Sequence, residues 1–367
     1  MASGYRRKVG LRVVGVTGSA GKSTVKEMIG QTLAASMPVA MTLGNWNNYI
    51  GLSLSLLAVD PASRVGVFEV GTNHPGEVAA LCRILRPDWG VVTNVGPAHI
   101  EHFGTLDAIA EEKAGLLRCL PADGVAVING DDAAYLTMLA ACSCRVVTVS
   151  FARDADYRGE WVTDSVREAV LRETASGETF RIVNRVPGRH NLLNAAMAVA
   201  VARQQGQDWN AIALGLGSYQ PLHMRWEERV VRGVRVINDA YNANPLSMRA
   251  ALATFAAEAA SGEKWLALGG MLELGRAQGS EHEALGGAVA REGLAGVLAV
   301  GELGRLILRG AEDAGMARHR LVWCSDNREA SSFLRQRLQP GDAVLLKASR
   351  GMRFEEIVEQ LETTGGR

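Results

Sequence analysis

The sequence predicts an α/β protein: a central domain on a mostly parallel sheet of the P-loop type, then a smaller Rossmann-like α/β domain. Three observations predict it. Strand-like apolar runs alternate with helix-like segments along most of the chain, the pattern of helices layered on parallel strands. The first strand is joined to its helix by a glycine-rich turn that runs into Gly-Lys-Ser. The alternation also breaks into a polar stretch and restarts near His223, leaving about 145 residues for a second domain of ordinary size. At 367 residues, a prior of about 150 per domain likewise suggests two, with expected spans 1–222 and 223–367.

The opening unit sets the frame. Leu11–Val16 reads as a buried strand, Gly18–Gly21 as a turn, and Lys22-Ser23-Thr24 as the start of a helix with apolar Val25, Met28, Ile29 and Leu33. Next come a strand over Val65–Val70, a helix over Gly76–Leu85, a strand over Trp89–Val95 and a helix over Leu106–Leu117. Strands at Val125–Asn129 and Arg145–Val149 flank a short helix near Ala133–Ala140. Phe151–Val186 is polar with alternating apolar residues and predicts an antiparallel ribbon at one sheet edge. Pro187-Gly188 ends it, and Asn191–Arg203 is an alanine-rich helix. The second domain begins with strands at Trp226–Arg232 and Val234–Asp239. Further strands follow at Lys264–Leu268, Val297–Val300, Leu321–Trp323 and Ala343–Lys347, with helices between them.

Composition narrows the function. Hydrophobic residues make up 47% and charged ones 21%, the balance of a globular chain with a large core. Lysine plus arginine and aspartate plus glutamate both number 39, which gives no support for a nucleic-acid or anionic-membrane partner. No apolar run is long enough to span a bilayer and no signal segment opens the chain, so the expected location is cytoplasmic. The Tyr5-Arg6-Arg7-Lys8 cluster reads as a solvated terminus. Five cysteines (Cys82, Cys119, Cys142, Cys144, Cys324) lack metal-ligand spacing and read as buried or half-buried free thiols.

The chemistry concentrates where strands end. Glycines at 18 and 21 let backbone N–H groups approach a polyphosphate, Lys22 reaches its outer phosphates, and the Ser23 or Thr24 hydroxyl faces Mg²⁺. The usual upstream glycine of such loops is replaced by Val16. Glu69 ends the next strand, either as a Mg²⁺ carboxylate or as a solvated cap. His99 and His102 follow the Trp89–Val95 strand, although Mg²⁺ prefers oxygen ligands. Lys113, fourteen residues on from His99, reads on spacing alone as a surface lysine pairing with Glu111 or Glu112. Asn191 and Asn194 share one helix face, as nucleotide readers or as caps. In the second domain Arg225 offers a phosphate fork and Asp239 a carboxylate at a strand end, while Lys347-Ala348-Ser349-Arg350 follows another strand.

Eight segments in one order resemble the Mur ligase family almost end to end: TGSAGKST (17–24), GNWNNYIG (44–51), FEVGTNHPGE (68–77), TNVGPAHIEHFG (93–104), GRHNLLN (188–194), NDAYNANP (238–245), GGMLELG (269–275) and LLKASRG (345–351). The short phosphate loop is that family's form. The resemblance implies ATP-dependent amide-bond formation through an acyl phosphate, as in the D-alanyl-D-alanine-adding step of cell-wall precursor synthesis. The partners implied are a small carboxylate and an amine, an amino acid or dipeptide. It further implies that Thr17, Gly18, Ser19, Ala20, Gly21, Lys22, Ser23 and Thr24, with Asn191, Asn194, Arg225 and Asp239, hold ATP as the domains close. Two Mg²⁺ ions are implied at Ser23, Glu69, His99 and Lys113, the lysine carried as a carbamate. Lys22, His99 and Lys113 are then the catalytic set. Asn45, Asn47 and Asn48 would meet the carboxylate substrate, and Lys347, Ser349 and Asn244 the amine.

There are departures from the family pattern. Gly270 stands where Asp is usual and Ser53 where Pro is usual. Family members also carry an N-terminal domain that binds the uridine nucleotide of the substrate, whereas 16 residues precede Thr17 here. The expectations are a fragment, a separate protein supplying that domain, or a related ligase acting on a small molecule without UDP. A non-catalytic ATP-binding subunit is the alternative from another class; against it, Ser23, Glu69, His99 and Lys113 are all present.

Overall fold

The computed structural model describes residues 1–363 and divides into two compact units, Met1–Gln220 and the chain from Pro221 onward. In the first, α1 (Ala2–Val9) precedes β1 (Arg12–Thr17), whose residues after Arg12 are all buried. A strand covered on both faces needs such a continuous apolar run. Then follow α2 (Lys22–Ala34), β2 (Val39–Met41), α3 (Tyr49–Leu57), β3 (Val65–Glu69), α4 (Glu77–Leu85) and β4 (Trp89–Val92). The unit continues with α5 (Ile100–Phe103), α6 (Leu106–Arg118), β5 (Val125–Asn129), α7 (Tyr135–Ala140) and β6 (Arg145–Ser150). It closes with β7 (Tyr157–Trp161), β8 (Glu168–Glu173), β9 (Thr179–Val183), α8 (Arg189–Gln204) and α9 (Trp209–Gly217).

Among the described residues these strands form one nine-stranded sheet in the order β2-β3-β1-β4-β5-β6-β7-β8-β9. It is parallel from β2 to β7 and antiparallel over β7–β9, the ribbon the 151–186 pattern predicts. The chain leaves β1 toward one edge, returns through β3 and passes over β1 to β4. The loops after β1, β3 and β4 therefore meet above one sheet edge, at a topological switch point.

The second unit holds β10 (Glu227–Val231), β11 (Val234–Asn238), α10 (Pro245–Ala257), β12 (Lys264–Leu268), α11 (Gln278–Arg291) and β13 (Gly296–Val300). After these come α12 (Gly301–Asp313), β14 (Leu321–Cys324), α13 (Asn327–Arg337), β15 (Ala343–Lys347) and α14 (Glu355–Glu362). Its sheet runs β10-β11-β15-β12-β13-β14, parallel except for β10. The core gathers Trp265, Leu298, Val344, Leu346 and Phe354.

Several expectations need correcting. The basic N-terminus is not merely solvated: it forms α1, closed by Gly10 in the left-handed region. Tyr5 donates its hydroxyl to the Val59 carbonyl at 2.8 Å, and Arg6 pairs with Asp88 at 2.6 Å. Spacing of charges does not reveal such long-range partners. The strand expected over Trp226–Arg232 is shorter because Trp226 and Arg232 both have φ of 54° and break the extended backbone at each end. The strand expected to Val95 ends at Val92, where Thr93 and Asn94 turn their side chains onto a neighbouring loop. Short β2 and the 3-residue bridge it makes with β3 were not anticipated. Cys119 is exposed rather than half-buried. Among the described residues no helix is long and apolar enough to cross a membrane.

Candidate active site

The turn between β1 and α2 is held from its neighbours. Thr17 is buried and donates its hydroxyl to the Val70 carbonyl beyond β3 at 2.9 Å. On the other side, Ser19 N–H donates to the Asn94 carbonyl and Ala20 N–H to the Asn94 side-chain oxygen at 2.9 Å. The Thr93 hydroxyl and the Asn94 amide both donate to the Ala20 carbonyl, at 2.6 and 3.0 Å. Gly18 has φ of 151°, and a Cβ there would lie 1.9 Å from the Thr93 hydroxyl oxygen. Only a glycine fits between the loop and β4. Gly21 begins α2 in the left-handed region, and a Cβ on it would touch the Asn194 amide at 3.0 Å. That places Asn194, from α8, against the loop.

The first turn of α2 carries the charged groups. Lys22 is half-buried and donates its ammonium back to the Gly18 carbonyl at 2.8 Å. Ser23 donates its hydroxyl to one carboxylate oxygen of Glu69 at 2.6 Å, and the Asn47 amide donates to the other at 2.7 Å. Glu69 is 2% exposed, at the carboxyl end of β3. Hydroxyl and carboxylate oxygens side by side at a helix N-terminus are the hard donors that Mg²⁺ takes. Thr24 is buried beside them.

Lys113 is the largest departure from spacing-based reading. It is not a surface lysine: it is 3% exposed on the inner face of α6. Burial, then the positive charge of Lys22, pushes its ammonium down to about 7, against an opposing contribution from Glu112. Neighbouring Glu112 points away to cap α4, accepting N–H groups of Gly76 at 2.7 Å and Val78 at 2.8 Å. His99 is half-buried with φ of 57°, a backbone conformation uncommon for a side-chain-bearing residue. His102 is exposed and lies with its ring 4.4 Å from that of His74.

Other expected site residues are engaged locally. Asn48 caps α3 by accepting the Gly51 N–H, whereas exposed Asn45 and half-buried Asn47 precede it in the loop. Asn191 is buried and donates to the Pro187 carbonyl, while its oxygen accepts from Asn194. In the second unit, Arg225 lies 4.1 Å over the Tyr241 ring, between Met224 and Trp226, both with positive φ. Asp239 accepts the Trp226 N–H and pairs with Lys347 at 2.6 Å. Lys347 is buried and also donates to the Asn242 carbonyl, and Ser349 accepts the Leu272 N–H, so both brace their own loops. Asn244 forms a capping box with Ser247 ahead of Pro245. Gly270 donates its N–H to the Met352 sulfur, and a Cβ there would meet Leu303 at 2.7 Å.

Sequence reasoning missed three supports. Thr93 and Asn94 clamp the loop, Glu112 caps α4, and buried His282 accepts the Met271 N–H within the 269–275 loop. Polar residues immediately after a strand signal the first. Nothing local signals the other two.

Known proteins resemble this chain over nearly all of its length. The Mur ligase middle domain matches residues 16–202, and the Mur ligase, glutamate ligase domain, matches 224–350. The UDP-N-acetylmuramoyl-tripeptide–D-alanyl-D-alanine ligase of Bacillus subtilis is 35% identical, covering 98% of this chain and 78% of that protein. The Escherichia coli K12 enzyme of the same name is 32% identical over 100% and 80%. Among solved structures, MurF from Acinetobacter baumannii superimposes with a TM-score of 0.89 at 29% identity, covering 98% of this chain and 79% of its own. MurF from Thermotoga maritima in complex with ADP gives 0.85 at 28% identity, covering 98% and 82%. These matches span nearly the whole of this chain and show its family: the chain belongs to the Mur ligase family of ATP-dependent, ADP-forming amide ligases.

Proposed function

We propose that this ligase joins D-alanyl-D-alanine to the terminal carboxylate of a UDP-N-acetylmuramoyl-tripeptide, as the named relatives do. In this reading the substrate carboxylate attacks the γ-phosphorus of ATP and ADP leaves, giving an acyl phosphate. The amine then adds to the acyl carbon, loses a proton, and phosphate departs. Charge shifts onto the transferred phosphoryl group, so fixed cations and donors facing it supply the catalysis. Gly18 to Gly21 would present N–H groups, and Lys22 would exchange the Gly18 carbonyl for phosphate oxygens. Asn191, Asn194, Arg225 and Asp239 would bind the nucleotide.

The oxygen donors at Ser23 and Glu69 fit Mg²⁺, which when bound would neutralise phosphate charge. A second ion would sit near His99 and Lys113. Lys113 suits this role only if modified: its neutral amine adds to CO₂ and releases a proton, turning an ammonium into an oxygen ligand. The observation that best supports the reading is the Ser23–Glu69 pair at the start of α2, with a buried lysine, Lys113, close enough to Lys22 to feel its charge. Asn45, Asn47 and Asn48 would face the carboxylate substrate, and Lys347, Ser349 and Asn244 would shape the amine site. The proposed location is cytoplasmic.

The test is phosphate release by the purified protein with Mg²⁺-ATP, the UDP-linked tripeptide and D-alanyl-D-alanine. Release that needs both co-substrates supports the reading. No release with the pair, but release with another carboxylate and amine or on adding a separate uridine-binding protein, moves the substrate or the partner elsewhere. Tight ATP binding with no turnover of any pair would leave a non-catalytic subunit.

A further inference from the structure

Lys26 is fully buried on α2, and its ammonium bonds to neither the 18–21 turn nor a strand residue. Its ammonium donates to the Thr42 carbonyl at 3.2 Å and the Gly44 carbonyl at 3.1 Å, and pairs with Glu27 at 2.7 Å. Burying a cation is costly, and an apolar side chain of the same length would serve the core at least as well. The ammonium is therefore to be explained by what it holds.

What it holds is the segment from Thr42 to Asn48, which forms no strand or helix. Thr42 is tied to β3, its N–H donating to the Val67 carbonyl and its hydroxyl accepting the Glu69 N–H at 2.8 Å. At the far end the Asn47 carbonyl accepts the Gly71 N–H, and the Asn47 amide reaches Glu69. Between these two ties, at Gly44, the backbone turns with φ of 52° and presents exposed Asn45 and Trp46. Lys26 grips the carbonyls of Thr42 and Gly44 from below. It stands four residues after Lys22 and three after Ser23 on the same helix, so one rigid element carries the phosphate-binding groups and the anchor of this loop.

We propose that Lys26 is a positioning residue for the acyl substrate: it sets the 42–48 loop at a fixed height relative to the phosphate loop. The inference rests on the reading that this loop meets the carboxylate substrate. Attack on the γ-phosphorus needs reacting atoms about 3–3.5 Å apart, so a loosened loop weakens acyl-substrate use while leaving nucleotide binding intact.

The experiment combines amide hydrogen exchange with steady-state kinetics on the full chain. In Lys26→Met, exchange over 42–48 should rise at least ten-fold while β1 and α2 stay protected. KM for UDP-N-acetylmuramoyl-tripeptide should rise at least ten-fold and KM for ATP should change less than two-fold. Lys26→Arg, which keeps the cation, should recover part of both effects. Gly44→Val strains the same turn from the loop side, with open space for its side chain, and should reproduce the split even if Lys26→Met does not fold.

Unchanged loop exchange in Lys26→Met, or ATP and acyl KM rising together, overturns the inference. So does a loosened loop with an unchanged acyl KM, and Asn45→Ala then locates the fault. If that variant raises the acyl KM, the loop reading stands and Lys26 is misassigned; if it does not, the loop reading itself fails.

Discussion

Lys113 and Gly18 make the predictions that belong to single residues. Lys113 is buried with its ammonium lowered to about 7 from 10.5. Between those values the unfolded chain binds more protons than the folded one, so stability should rise with pH over this window, and the penalty of the buried charge should be fully present below about 7. Urea unfolding in CO₂-free buffer from pH 6 to 10 checks the sign, and Lys113→Met should flatten the slope. An unaltered slope would show that Lys113 does not titrate there. Lys113→Ala should lower kcat at least 100-fold, with partial recovery in added formate or acetate as a surrogate oxygen ligand. Gly18→Ala should abolish nucleotide binding, because the new methyl would overlap the Thr93 hydroxyl. Isothermal titration with ATP reads this, and wild-type affinity in the variant would mean the loop can shift without harm.

Helices and loops in this protein are joined by side chains that act far from their own sequence position. Glu112 is the clearest case: from α6 it accepts two N–H groups at the start of α4, where an anion also meets the positive end of the helix. Glu112→Ala should lower stability by about 0.5–1.5 kcal/mol, the net worth of a typical hydrogen bond, because the Gly76 N–H is exposed and can turn to water. A denaturant midpoint unchanged by the substitution would remove Glu112 from that role. Helix caps, by contrast, are local features. Asn244-Pro245 with Ser247 and Asn48 ahead of Tyr49 signal α10 and α3 within four residues. The Asn48 cap also shows the limit of motif reading. Three asparagines in one short run look interchangeable in sequence, yet one closes a helix, one holds Glu69 and one stays exposed.

Taken as a molecule, the protein has two units, each with its own sheet and core, and a nucleotide-binding unit should answer to its ligand. At 100 times its Kd, ATP should stabilise the unit that binds it by about 2.7 kcal/mol, seen as a rising Tm in a nucleotide titration. A Tm indifferent to ATP would argue against the loop as a nucleotide site. The alternation of strands and helices, the edge ribbon over 151–186 and the restart beyond His223 were all visible from periodicity, since burial on one or both faces imposes it locally. The glycine turn within Thr17–Thr24 was visible too, because the positive φ and close packing at Gly18 and Gly21 favour glycine.

Sequence by itself determined the fold class, the glycine turn between β1 and α2 and the family, since these depend on local patterns and on the order of short motifs. Only tertiary structure decided that Lys113 is buried with its ammonium pushed down, that Glu69 is shared between Ser23 and Asn47, and that Lys26 donates to the Thr42 and Gly44 carbonyls. Burial and charge proximity are set by residues distant in the chain, and no spacing rule within a helix or strand reports them.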